Sequence, residues 1–125
     1  MTANTLLFRQ IHPSFVQNGR VTSQPFRPTP KDQSMLSVYD GDLISPEKSW
    51  VHFTTKLMRQ SEGTMAVSVA ECATEHLNVL ADPDTFLEHA LIDFTGLTDK
   101  QCHTKSKKLQ AKATERGWCY PVVAG

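Results

Sequence analysis

The sequence predicts an α+β fold: a small, mostly antiparallel or mixed sheet with two main helices and a long N-terminal loop. Three observations carry this expectation. Short apolar or alternating runs recur at 5–11, 35–39, 64–69 and 89–94, bounded by polar or turn residues. Two stretches, beginning at Ser45 and at Thr98, open with helix-start signatures. Their order is strand, long loop, strand, helix, strand, short helix, strand, helix and an extended tail, which reads as one α+β domain over residues 1–125.

Thr5 to Ile11 is the first strand. Period-two geometry puts Leu7, Arg9 and Ile11 on one face and Leu6 and Phe8 on the other. Arg9 thus shares a face with two large apolar residues, an odd place for a solvent-facing charge. Residues 12–34 resist regular assignment, because Pro13, Pro25, Pro28 and Pro30 each remove a backbone donor. The Asn18-Gly19 turn pair leaves room for one short strand from Arg20 to Ser23. Phe15, Val16, Val21 and Phe26 offer packing anchors, which argues against full disorder.

Met35 to Tyr39 alternates as a strand and closes at the Asp40-Gly41 turn. Ser45-Pro46-Glu47 supplies a hydroxyl cap, proline at the first helical position and an acid in the first turn. Trp50, Phe53 and Leu57 continue at helical spacing, so a helix is expected to run until Gly63. Thr64 to Val69 reads as a strand and Ala70 to Leu80 as a short helix. His89 to Phe94 is a buried strand with Ala90 and Ile92 on one face. Thr98 and Gln101 form a capping box, and the helix they start should stop at Gly117, leaving 117–125 extended.

Composition bounds the function classes. At 39% hydrophobic and 21% charged the chain reads as an ordinary soluble domain, with no apolar run long enough to span a bilayer. No secretory signal is visible, and three cysteines without C-x-x-C spacing suggest no disulfide framework, so a reducing cytoplasm is the expected location. No phosphate-binding glycine loop and no G-x-S-x-G elbow occurs.

The net charge of zero hides three blocks: +3 over 1–32, −8 over 33–99 and +5 over 100–125. Segregated charge of this kind attracts an anion to one side of a molecule. In the first block Arg9, Arg20, Ser23, Arg27 and Lys31, with His12 and Thr22 beside them, form a candidate anion-binding group. In the last, Lys105, Lys108 and Lys112 share a helical ridge able to add a supporting field, although no aromatics interleave them.

His12 and His89 are the candidate proton-transfer residues, with Asp93 on the face of His89 but too far along an extended chain to touch it. Cys72 and His76, four apart, make half a metal site at most, and Cys102-His103 lies elsewhere; neither a metal nor another cofactor is expected.

The run Leu6-Leu7-Phe8-Arg9, followed beyond the loop by Ser23, resembles the start of ADP-ribosyltransferase-type toxins. That resemblance implies a nicotinamide dinucleotide pocket lined by Arg9 and Ser23, with Glu71 nearest to the family's glutamate-bearing element. Two residues do not assign the chain to the family.

The leading expectation is a small domain that binds an anionic partner, a nucleotide or nucleic acid, through Arg9 and the Arg20–Lys31 loop. It requires that loop and the last helix to face the same side. The alternatives are a protein-interaction module without chemistry, and an enzyme acting on a nucleotide or RNA through Arg9 with His12 or His89.

Overall fold

The computed structural model describes residues 1–29 and 33–121. Its centre is a five-stranded antiparallel sheet built from β1 (Leu6–Ile11), β4 (Met35–Asp40), β5 (Gly63–Ser68), β6 (Asn78–Ala81) and β7 (His89–Asp93). The spatial order is β5-β1-β4-β7-β6. A two-stranded hairpin, β2 (Val16–Gln17) with β3 (Arg20–Val21), sits in the proline-punctuated loop. The α+β expectation holds, and the sheet is antiparallel throughout.

The alternation in each strand distributes side chains to two layers. Leu7 and Ile11 of β1, Met65 and Val67 of β5, Leu36 and Val38 of β4, and Ala90 and Ile92 of β7 form the larger core. This face is covered by α3 (Asp99–Arg116) through Leu109 and Ala113, and by α2 (Val69–Thr74) through Cys72. Phe26, fully buried, brings the loop onto the same layer. A side chain of this size buried from water contributes roughly 1.5–3 kcal/mol, enough to hold a proline-stiffened loop with little entropy left to lose. Phe8, Tyr39 and Ala66 point to the opposite face, where Ile44, Phe53, Phe86 and Cys119 pack on them.

The helix starts follow the local chemistry. Ser45 Oγ caps α1 (Pro46–Val51), and Thr98 with Gln101 forms the reciprocal capping box of α3. A further box, Ser68 with Glu71, starts α2. Gly117 ends α3 at φ 88°, where a side chain would be strained.

Two elements differ from expectation. The helix begun at Pro46 does not run to Gly63: it widens into a π-helical turn at His52–Lys56, and Gly63 instead opens β5. The Thr54 and Thr55 hydroxyls donate to the carbonyls of Trp50 and Val51, acceptors that the helix's own amides would otherwise take. The segment 70–80 is not one helix either. After one and a half turns the chain passes through His76 at φ 59° and forms β6, which pairs with β7 from Asn78↔Asp93 to Ala81↔Ala90. Edge pairing decided a segment whose own periodicity is ambiguous. No helix among the described residues is long and apolar enough to cross a membrane.

Candidate functional site

The sheet is two well-zipped halves joined at one point. β1 pairs with β5 over its whole length, Leu6↔Ser68 to Ile11↔Gly63, and β4 pairs with β7 from Met35↔Asp93 to Tyr39↔His89. Between the halves, β1 and β4 share only Leu7↔Asp40 and Phe8↔Tyr39, although both strands continue. Where this ladder ends, a cleft of about 900 Å³ opens, lined by Phe8, Arg9 and Gln10 on one side and Ser37, Val38 and Tyr39 on the other. That volume falls in the roughly 300–1,000 Å³ range of small-molecule sites.

Arg9 bridges the mouth of the gap. Its Nε donates to Pro25 O at 2.6 Å and its Nη1 to Ser37 O at 3.0 Å. A planar guanidinium can serve two carbonyls at once, so Arg9 supplies across the gap what the interrupted ladder does not. This explains how a charge sits between Leu7 and Ile11. Gln10, on the other face, is buried: its amide donates to Ser49 Oγ at 3.0 Å and accepts from Ser61 and Thr64 at 2.9 and 3.0 Å. This network fixes α1 and the segment after the π turn against the sheet. Trp50 Nε1 adds a bond to Ser61 O at 3.1 Å.

The opposite wall is aromatic. Phe53 comes from the π turn and Phe86 from the loop before β7, and both line the cleft with Tyr39 and Phe15. Phe86 sits between two imidazoles, 4.7 Å from the His52 ring and 4.8 Å from that of His89. Tyr39 OH and His52 Nδ1 share a hydrogen bond of 2.8 Å. Burial, with a smaller push from Glu88, drives the Tyr39 phenol well above its ordinary value against the opposing Arg59, so it keeps its proton.

Two histidines line this cleft, and they are held in complementary states. His89 Nδ1 lies 2.8 Å from Asp82 Oδ2, which also accepts from Thr85 Oγ1 at 2.6 Å. The Thr85 hydroxyl first and His89 second hold the Asp82 carboxyl below its usual range. An ionised carboxylate only accepts, so His89 Nδ1 carries a hydrogen, and in the neutral ring the lone pair is then on Nε2. His12 is the reverse: its Nδ1 accepts from the Ser14 amide at 3.0 Å, which places the hydrogen of a neutral ring on Nε2.

Arg59 and Gln60 complete the lining. The Arg59 side chain is exposed and has no hydrogen bond or ion pair among the described residues. The cleft therefore carries two guanidiniums, and no carboxylate appears among its described lining residues.

The sequence-predicted residues divide. Arg9, His12 and His89 converge on the cleft. Ser23 does not line it and instead precedes the 3₁₀ turn Gln24–Phe26. Arg20 is exposed on β3, and Arg27 turns to α3, where its Nη1 lies 2.8 Å from His103 Nδ1. Lys31 lies outside the described residues. The loop and α3 do face the same side, joined also by Gln110 to Val21 O at 3.0 Å. That side is the layer opposite Tyr39, Phe53 and Phe86.

Along the lysine ridge, Lys105 donates to Glu75 O and Lys108 lies 3.6 Å from the Glu75 carboxylate, while Lys112 is exposed. Asp93 is engaged by the Thr95 amide, so it does not orient His89. Glu71 is bound by Arg116 at 2.9 and 3.2 Å and lies away from Arg9's cleft, so the pocket implied by the toxin resemblance is not assembled from Arg9, Ser23 and Glu71. Cys72 is fully buried, its thiol pushed up to about 12 by burial and then by Glu71. Among the described residues no three His, Cys, Asp or Glu side chains are placed to hold a metal.

Asp82, Arg59 and the aromatic wall were missed by sequence reasoning. Asp82 looked like turn punctuation in Asp82-Pro83-Asp84, and its pairing with His89 depends on the β6–β7 register. Arg59 carried one signal: it is among only three basic residues in the −8 block. Comparison with protein-family models, curated proteins and solved structures gives no match to this chain.

Proposed function

We propose that the cleft between β1 and β4 binds a nucleotide, free or as a unit of a strand. One observation carries the reading: a cleft of about 900 Å³ combines five aromatic side chains with Arg9 and Arg59 and, among its described lining residues, no carboxylate. Aromatic faces stack on a base, and guanidiniums take phosphate oxygens through paired, charge-assisted bonds. Arg9 is already committed to two carbonyls, so Arg59 is the phosphate ligand in this reading and Arg9 adds positive field. The lysine ridge supports the reading little, since Lys105 and Lys108 are drawn to Glu75 on the far layer.

The test is calorimetric titration with the four ribonucleoside monophosphates. Arg59→Ala should weaken binding by roughly 10–100-fold, the loss of one or two charge-assisted hydrogen bonds. Lys112→Ala should leave it unchanged. Equal affinity in wild type and Arg59→Ala refutes the assignment.

A further inference from the structure

We infer that the Asp82–His89 pair is a general base serving this cleft, and that its substrate is an RNA phosphodiester cleaved by its own 2′-hydroxyl. The inference rests on the cleft binding a nucleotide and names what is done to it. Two features of the structure and one chemical argument support it.

The first is the pair itself. His89 is almost fully buried, and its ring is fixed from two sides, by Asp82 through Nδ1 and by the Phe86 ring. Thr85 in turn fixes Asp82 through the same carboxylate oxygen. A base, an orienting carboxylate and a second group holding that carboxylate is the arrangement that presents one imidazole nitrogen reproducibly. Nε2 has no hydrogen-bond partner among the described residues and belongs to a ring that lines the cleft.

The second is the set of neighbours. Arg59 and Arg9 line the same cleft and add positive charge, which favours the negative charge of a phosphorane, and His12, whose neutral ring carries its hydrogen on Nε2, lines it too. The third is economy of parts. RNA carries its nucleophile beside the phosphorus, so a base and charge stabilisation suffice, whereas attack by water would also need a site to place that water.

The step balances without a co-reactant. His89 Nε2 takes the 2′-hydroxyl proton as the 2′-oxygen forms its bond to phosphorus. The bond from phosphorus to the 5′-oxygen breaks, and that oxygen leaves with the electron pair. It takes a proton from water, and the proton held by His89 neutralises the hydroxide so formed. The products are a 2′,3′-cyclic phosphate and a 5′-hydroxyl, with nothing oxidised or reduced. Asp82 is a positioning residue in this step.

The experiment incubates the full chain with a short single-stranded RNA of randomised sequence and with the same RNA fully 2′-O-methylated, following cleavage and binding separately. The expected result is cleavage of the first to cyclic-phosphate ends, and binding without cleavage of the second. His89→Ala should lower the rate by roughly 10²–10⁴-fold. His89→Asn, whose amide can still donate to Asp82 but lacks an Nε2 base, should be as inactive while unfolding at the wild-type temperature. Asp82→Asn should lower kcat with KM little changed, a split that a merely structural role would not give.

Binding of both RNAs with cleavage of neither overturns the catalytic inference and leaves the nucleotide-binding reading standing. Wild-type rates in His89→Asn overturn it as well. Failure to bind either RNA or any nucleotide overturns both.

Discussion

Replacing Arg9 should loosen the Pro25 loop from β1 and weaken the join between the two halves of the sheet. The guanidinium holds Pro25 O at 2.6 Å in a partly buried setting and Ser37 O at 3.0 Å in an exposed one. The first bond, from a charged donor, contributes about 1.5–3 kcal/mol, and the second, in contact with water, about 0.5–1 kcal/mol. Arg9→Met, which keeps the apolar stem beside Leu7 and Ile11, should therefore cost about 2–4 kcal/mol. In a chain of 125 residues that lowers the melting temperature by roughly 10 °C.

Arg9→Lys should recover about half of the loss, because an ammonium lacks the planar fork that reaches both carbonyls. Circular dichroism melts of the three proteins provide the measurement, and amide exchange on β4 should show the damage concentrated around Ser37. If Arg9→Met melts within about 2 °C of wild type, the two bonds contribute almost nothing and the clamp reasoning is refuted. The same melts decide how any activity loss in an Arg9 variant is read. A large fall in stability makes Arg9 first a structural residue that happens to line the cleft.

Two further outcomes follow from buried and paired groups. Burial alone would raise the Glu71 carboxyl, but the Arg116 guanidinium and the Ser68 amide together hold it below the usual carboxylate range. Its contribution is thus fully present above the ordinary glutamate value of about 4.3 and is lost as pH falls through the lower folded-state value. Glu71→Gln should cost about 1 kcal/mol at neutral pH and flatten the fall in urea midpoint between about pH 5 and 3; an unchanged acid limb would contradict the pairing. Cys72, with its thiol near 12 and fully buried, should stay unmodified by a thiol reagent in the native protein. Two cysteines at most should react before urea is added and three after; three fast thiols in the native state would contradict the burial.

Much of the fold was legible because it rests on local chemistry. The strand at 6–11 and its two faces follow from period-two alternation, and the starts of α1 and α3 follow from Ser45-Pro46 and the Thr98–Gln101 box. The oddity of Arg9 among apolar neighbours was also visible, since no local rule places a charge there. What Arg9 does was not visible, because its acceptors lie 16 and 28 residues away. The Thr54-Thr55 pair sits in the sequence, but whether two hydroxyls widen a helix depends on what the turn packs against.

The sequence by itself determined the α+β class, most element starts and the gathering of cations near the N-terminus. Each of these is set by neighbours a few residues apart. Only the tertiary structure decided where the sheet opens, because strand pairing is a competition among distant segments and a ladder of two residue pairs leaves no mark in either strand. It also decided that His89 meets Asp82 and not Asp93. Side chains spaced along one extended strand stay apart, whereas the loop between β6 and β7 returns residue 82 to residue 89.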